Sequence, residues 1–104
     1  MQTDVSSSEL KRIVLAEKAK AVVLFSGAWC SDCRELKPVW DSWTPGISGP
    51  ILKVEVLRGG PEWKDWDLAE MPTVAVFRGG RELGRIQGTI TRTDLEMLSK
   101  VEGF

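Results

Sequence analysis

The two cysteines of the chain, Cys30 and Cys33, lie two residues apart between an apolar run and a segment of helical periodicity. The run is AVVLF (21–25). A short continuous apolar stretch of this kind suits a strand buried on both faces, which requires cover above and below the sheet. Downstream, Leu36, Val39, Trp40 and Trp43 recur at helical spacing, so 34–43 reads as helix, with Pro38 expected to kink it. The cysteines therefore occupy a strand-to-helix junction, the place where α/β folds present functional groups.

The remaining segments fit an α/β chain. Ser6 and Glu9 form a capping-box pattern ahead of an apolar face of Leu10, Ile13 and Val14, predicting a helix to about Lys18. TPGISGP (44–50) is turn-rich, and ILKVEVL (51–57) alternates as a strand does. Gly59, Gly60 and Pro61 introduce EWKDWDLAE, expected to form a helical turn or two. TVAVF (73–77) and ELGRIQ (82–87) flank RGGR and predict an antiparallel hairpin. Thr91 and Asp94 cap a last helix whose Leu95, Leu98 and Val101 face inward. The order α, β, α, β, loop, β, β, α predicts an α/β fold: a mixed central sheet of about four strands with helices on both faces.

Length and composition narrow the functions. At 104 residues the chain is expected to form one domain, 1–104. Its net charge of −1 gives no reason for long-range attraction to nucleic acid or an anionic membrane. RGG occurs twice, at 58–60 and 78–80, and reads as two loops in a chain of balanced charge. Met1 reads as a native start, and MQTDVSSSEL lacks the basic and apolar regions of a secretory signal. A cytoplasmic location is expected, where a close cysteine pair is catalytic or metal-binding more often than a structural staple.

Three readings of the pair stand side by side. A closed zinc site needs about four ligands, and two thiolates exhaust the cysteine and histidine of a chain with no histidine. Only a dimer bridging a metal or an iron–sulfur cluster would complete it. Two inert buried thiols are a second reading. In the third, Cys30 at the helix N-terminus is favoured as a thiolate and attacks a substrate disulfide. Cys33 then attacks the Cys30 sulfur, releases reduced product and leaves a Cys30–Cys33 bridge. C-x-x-C beside a β–α–β pattern favours this third reading.

Over nearly its whole length the sequence resembles the thioredoxin family. VVLFSGAWCSDCRELKP (22–38) is similar to the family's strand, tryptophan, C-x-x-C and helix, including a proline five residues after the second cysteine. MPT (71–73) resembles the family's Ile-Pro-Thr, VAVFRGGRE (74–82) the following hairpin, and Gly88 the glycine lining the substrate groove. The resemblance implies a thioredoxin fold, an exposed nucleophile at Cys30 and a more buried resolving thiol at Cys33. It implies a cis peptide at Pro72 and a substrate surface of Trp29, Met71, Pro72 and Gly88. It implies no cofactor beyond the dithiol and no metal. Its partners would be disulfide-containing proteins or small molecules, and a thioredoxin reductase or another thiol donor; a monomer is expected.

Three departures qualify this. Ser31-Asp32 replaces the family's usual Gly-Pro, giving the W-C-x-D-C pattern of a thioredoxin-related subgroup. Asp32 suits a first helical turn, yet a carboxylate beside the sulfurs opposes thiolate formation, and Arg34 partly offsets it. Leu24 stands where the family places a buried aspartate, leaving Lys53 without its acid. The family's first strand corresponds only to TDV (3–5), predicting a strand that is short or absent. A disulfide reductase is the leading reading, with a redox sensor or binding module of slow turnover, or a disulfide isomerase or oxidase, as alternatives. Trp40 and Trp43 read as helix-packing residues. Trp63 and Trp66 read as packing a short helix onto the core, with one of them bordering the substrate groove.

Overall fold

The computed structural model describes residues 2–16, 20–47, 49–101 and 103–104. Among these residues five strands and four α-helices follow in the order β1 (Gln2–Val5), α1 (Ser7–Ala16), β2 (Lys20–Ser26), α2 (Ser31–Trp43), β3 (Ile51–Glu55), α3 (Glu62–Asp65), β4 (Thr73–Arg78), β5 (Arg81–Gln87) and α4 (Arg92–Ser99), with a 3-10 turn at Thr44–Gly46 after α2. The sheet runs β1-β3-β2-β4-β5. β3 is parallel to both β1 and β2, whereas β4 is antiparallel to β2 and to β5. The sheet is therefore mixed, as expected, but has five strands rather than about four. The short first strand is present, paired with β3 from Gln2↔Ile51 to Val5↔Val54. Few apolar residues mark it because an edge strand buries little, and its burial is only partial.

β2 lies at the centre and is buried almost throughout. Strand side chains alternate between faces, and here the two faces feed two cores. Val22 and Leu24 pack with Leu36, Trp40 and Trp43 of α2 and Leu95 and Leu98 of α4. Ala21, Val23 and Phe25 pack with Leu10 and Val14 of α1, Leu68, Phe77 and the two cysteines. Trp40 and Trp43 are core residues, as their spacing predicts, with rings 5.6 Å apart.

Both capping boxes form. Glu9 N–H donates to Ser6 Oγ at 3.1 Å and Ser6 N–H to Glu9 Oε1 at 3.3 Å. Thr91 and Asp94 reciprocate in the same way. α1 ends at Ala16 among the described residues; the predicted end at Lys18, like Met1, lies outside them. α2 begins at Ser31, three residues before the predicted start, because Cys30 caps it, and it runs through Pro38 to Trp43. α3 is a single turn, and the RGG segments contain turns at Arg58–Gly59 and Gly79–Gly80. Among the described residues no helix is long and apolar enough to cross a membrane.

Candidate functional site

Strand register gathers the predicted site residues at one end of the sheet. Phe25 pairs with Thr73, Ser26 with Glu55, and Thr73 with Gln87. The segments around Gly27, Val56, Pro72 and Gly88 consequently emerge together. Gly88 N–H donates to Pro72 O at 3.0 Å, joining two of them directly.

The loop from β2 into α2 is held from several sides. Trp29 Nε1 donates to Val56 O at 2.8 Å, Ala28 N–H to Glu55 Oε1 at 3.0 Å, and Arg34 to Ala28 O at 2.9 Å. Trp29 folds back over Gly27 so closely that a Cβ there would lie 2.4 Å from its indole nitrogen and 2.8 Å from Val56 O. Only glycine admits this approach.

Cys30 is the N-cap of α2, with extended backbone (φ −100°, ψ 120°). Its sulfur accepts the Cys33 N–H at 3.2 Å, and its carbonyl accepts the Arg34 N–H at 3.2 Å. The cap sulfur lies at the head of a 13-residue helix, where its unpaired N–H groups and the positive end of its dipole are gathered. Both cysteines are reduced and buried, each 7% exposed. The expectation of a distinctly exposed Cys30 is thus not met in the reduced protein; Cys30 is as covered as Cys33.

Their environments nevertheless separate them. Burial pushes the Cys33 thiol up from 9.0 to about 11. The hydrogen bond and charge of Cys30 add to this, while the Gly27 backbone and Ser26 hydroxyl oppose it. Asp32 is half-buried in the first turn of α2, but it does not figure among the causes; burial sets Cys33, not the neighbouring acid. One sulfur is hydrogen-bonded at the helix head, and the other is held as a thiol one turn in.

The residues expected to form a substrate surface are brought together. The Met71–Pro72 peptide is cis, and both residues are buried. Met71 shares a packed cluster with Cys30 and Cys33, against which Trp29, Trp63 and Trp66 lie. Trp63 stacks on Trp29 with centroids 6.1 Å apart, and its Nε1 donates to Leu57 O at 3.0 Å. It is the tryptophan that borders the site. Trp66 instead packs between Phe25 and Phe77 and donates to Ser7 Oγ at 2.9 Å. Arg85 ties β5 to the segment leading to Met71, donating to Trp66 O and Asp67 O while paired with Glu82.

A cleft of about 360 Å³ lies behind Cys33, lined among others by Leu24, Ser26, Lys53, Glu55 and Asp4. Leu24 and Lys53 are register partners, so leucine takes the place in this cleft where an acid would face the lysine. Lys53 is half-buried rather than simply solvated. Sequence reasoning missed Ser26, Glu55 and Arg58. Ser26 and Glu55 close their strands beside the cysteine loop, a pairing visible only once register is known. Arg58 reaches Trp29, its guanidinium 5.1 Å from the ring centroid.

Comparison with known proteins agrees with this geometry. The thioredoxin family model matches residues 2–100. Thioredoxin H2-1 of Oryza sativa is 35% identical over 68 residues, covering 64% of this chain and 49% of that protein. Thioredoxin 1 of Nostoc sp. is 28% identical over 93 residues, covering 88% of this chain and 87% of its own. A crystal structure of reduced Schistosoma mansoni thioredoxin pre-protein superposes with a TM-score of 0.81 at 20% identity, over 96% of this chain and 97% of that one, which supports the fold. A mixed sheet with a C-x-x-C pair capping a helix beside a cis-proline defines the class of thioredoxin-fold redox proteins. The chain belongs to the thioredoxin family. With both cysteines of the motif present, it is a thiol–disulfide oxidoreductase of that family, working on disulfides with a reductase or thiol donor behind it.

Proposed function

We propose that the chain reduces disulfides of proteins or small molecules, with Cys30 attacking and Cys33 resolving. The observation that carries this is the Cys33 N–H on Cys30 Sγ at the head of α2, with Cys33 itself held as a thiol. Cys30 thiolate attacks one substrate sulfur, forming a mixed disulfide, and the other sulfur leaves as a thiolate that takes up a proton. Cys33 loses its proton and attacks Cys30 Sγ. The second substrate sulfur departs with the electron pair of the broken bond, and a Cys30–Cys33 disulfide remains. Two electrons from a flavin-containing thioredoxin reductase or another thiol donor restore the dithiol.

Trp29, Met71, Pro72 and Gly88 receive the substrate segment in this reading. The shared cluster of Cys30, Cys33 and Met71 supports that role, as does the Gly88–Pro72 hydrogen bond. Asp32, half-buried in the first turn of α2 beside the cysteines, has a supporting role in this reading. The dithiol needs no bound cofactor or metal. The protein acts as a single domain and a monomer in the cytoplasm, in the W-C-x-D-C branch of the family. Leu24 in the cleft behind Cys33 favours one competing reading, a redox sensor whose slow resolution holds a partner.

Equilibration in glutathione or dithiothreitol buffers, with free thiols counted by alkylation, tests the direction of exchange. A potential near about −270 mV supports a reductant. A value around −120 to −180 mV overturns it in favour of an oxidase, isomerase or sensor.

A further inference from the structure

Two exposed charges of opposite sign border residues that frame the dithiol. Arg58 is exposed, its guanidinium lying on the Trp29 ring, which in turn stacks on Trp63. Glu70, also exposed, precedes the Met71–Pro72 peptide. Its carboxylate lies over Gly88, with Oε2 2.6 Å from the point a Gly88 Cβ would occupy. Gly88 (φ +86°) leaves that space free for the carboxylate. Among the described residues the ion pairs are Lys37–Asp41 and Arg85–Glu82, so neither Arg58 nor Glu70 forms a salt bridge with a described residue. Asp32 and Arg34, on the first turn of α2, add charges of opposite sign and leave the asymmetry to the rim.

We propose that this surface is a polar-ended groove that selects extended disulfide segments with an acidic residue on one side of the cysteine, set against Arg58, and a basic residue on the other, set against Glu70. The proposal rests on the reading of Cys30 and Cys33 as the reacting couple and assigns the substrate class of that same site. The stacked Trp29–Trp63 pair supplies apolar area without sequence preference, whereas the two charges fix the direction in which a segment lies. A substrate of reversed charge order meets like charge at both ends.

The test compares two disulfide-linked peptides of identical composition, Ala-Glu-Cys-Lys-Ala and Ala-Lys-Cys-Glu-Ala, with blocked termini. The readout is the ratio of their kcat/KM values. One order is expected to be favoured by about three- to tenfold at low salt, the range of two exposed charge pairs. The ratio should fall toward one in molar salt. The double variant Arg58→Glu, Glu70→Lys should invert the preference. A ratio of one in the wild-type protein at low salt overturns the proposal, and so does a preference that survives the charge reversal or molar salt. Uncharged bis(2-hydroxyethyl) disulfide separates the two levels. Wild-type reduction of it leaves the dithiol reading standing whatever the peptide ratio, and failure to reduce it sinks that reading itself.

Discussion

The backbone N–H of Cys33 points at the sulfur of Cys30, 3.2 Å away, while the thiol of Cys33 stays buried one turn inside the helix. Both cysteines belong to the core, and Cys30 is also the helix cap. Two residues of spacing produce this, because the third position after an N-cap presents its N–H to the cap side chain. The same contact sets Cys30 at the helix head, while burial holds Cys33 as a thiol.

The raised Cys33 thiol makes a pH prediction whose sign is fixed. The folded thiol titrates near about 11 against 9.0 for an ordinary one, so the folded state holds its proton longer than the unfolded chain. The stabilisation is fully present below pH 9 and is lost as pH rises through about 11. Urea melts of the reduced protein from pH 8 to 11 should show falling stability across that window, and Cys33→Ser should remove this part of the fall. The chain has no tyrosine, so thiolate absorbance in a Cys30→Ser background can follow Cys33.

Gly27→Ala tests the close approach of Trp29. The added methyl would sit 2.4 Å from the indole nitrogen and 2.8 Å from Val56 O, so the Trp29–Val56 hydrogen bond must break or the loop must shift. A stability loss of about 1–3 kcal/mol is expected. A changed Trp29 environment, read by fluorescence against a Trp29→Phe control, should accompany it. A variant as stable as the parent would show that the loop yields freely.

Leu24→Asp restores an acid to the cleft shared by Cys33 and Lys53. Leu24 is 5% exposed, so a stability cost of about 1–3 kcal/mol is expected. Stopped-flow measurement of mixed-disulfide resolution at pH 7 should nevertheless show a several-fold gain. An unchanged rate would mean that the Cys33 proton already leaves by an efficient route.

Trp40 anchors the first strand to α2. It is 1% exposed, and its Nε1 donates to Gln2 Oε1 at 2.7 Å. Trp40→Ala should cost about 3–5 kcal/mol in urea unfolding. Trp40→Phe, which keeps most of the apolar contact, should cost less than half as much.

Much of this was legible in the sequence because each signal was local. AVVLF marked the central strand, RGGR the hairpin, and two capping boxes the starts of α1 and α4. The motifs also singled out residues that the fold gathers, since Cys30, Cys33, Trp29, Met71, Pro72 and Gly88 lie in segments that emerge at one end of the sheet. What was not legible depends on register and long-range packing. Glu55 holds the Ala28 N–H across 27 residues, and Arg85 reaches Trp66 across 19. β1 carries too little apolar pattern to announce an edge strand. The equal burial of the two cysteines is likewise a property of the surrounding loops, not of the motif.

The most direct measurement of the central claim is trapping of the mixed disulfide. Cys33→Ser and Cys30→Ser proteins, each reduced and mixed with a disulfide-linked peptide, are quenched with acid and weighed by mass spectrometry. The account predicts that Cys33→Ser accumulates one peptide on Cys30 and stalls, while Cys30→Ser acquires little or none on the same timescale. Rapid adduct formation on Cys33, or full turnover by Cys33→Ser, would contradict the assignment of attacking and resolving thiols.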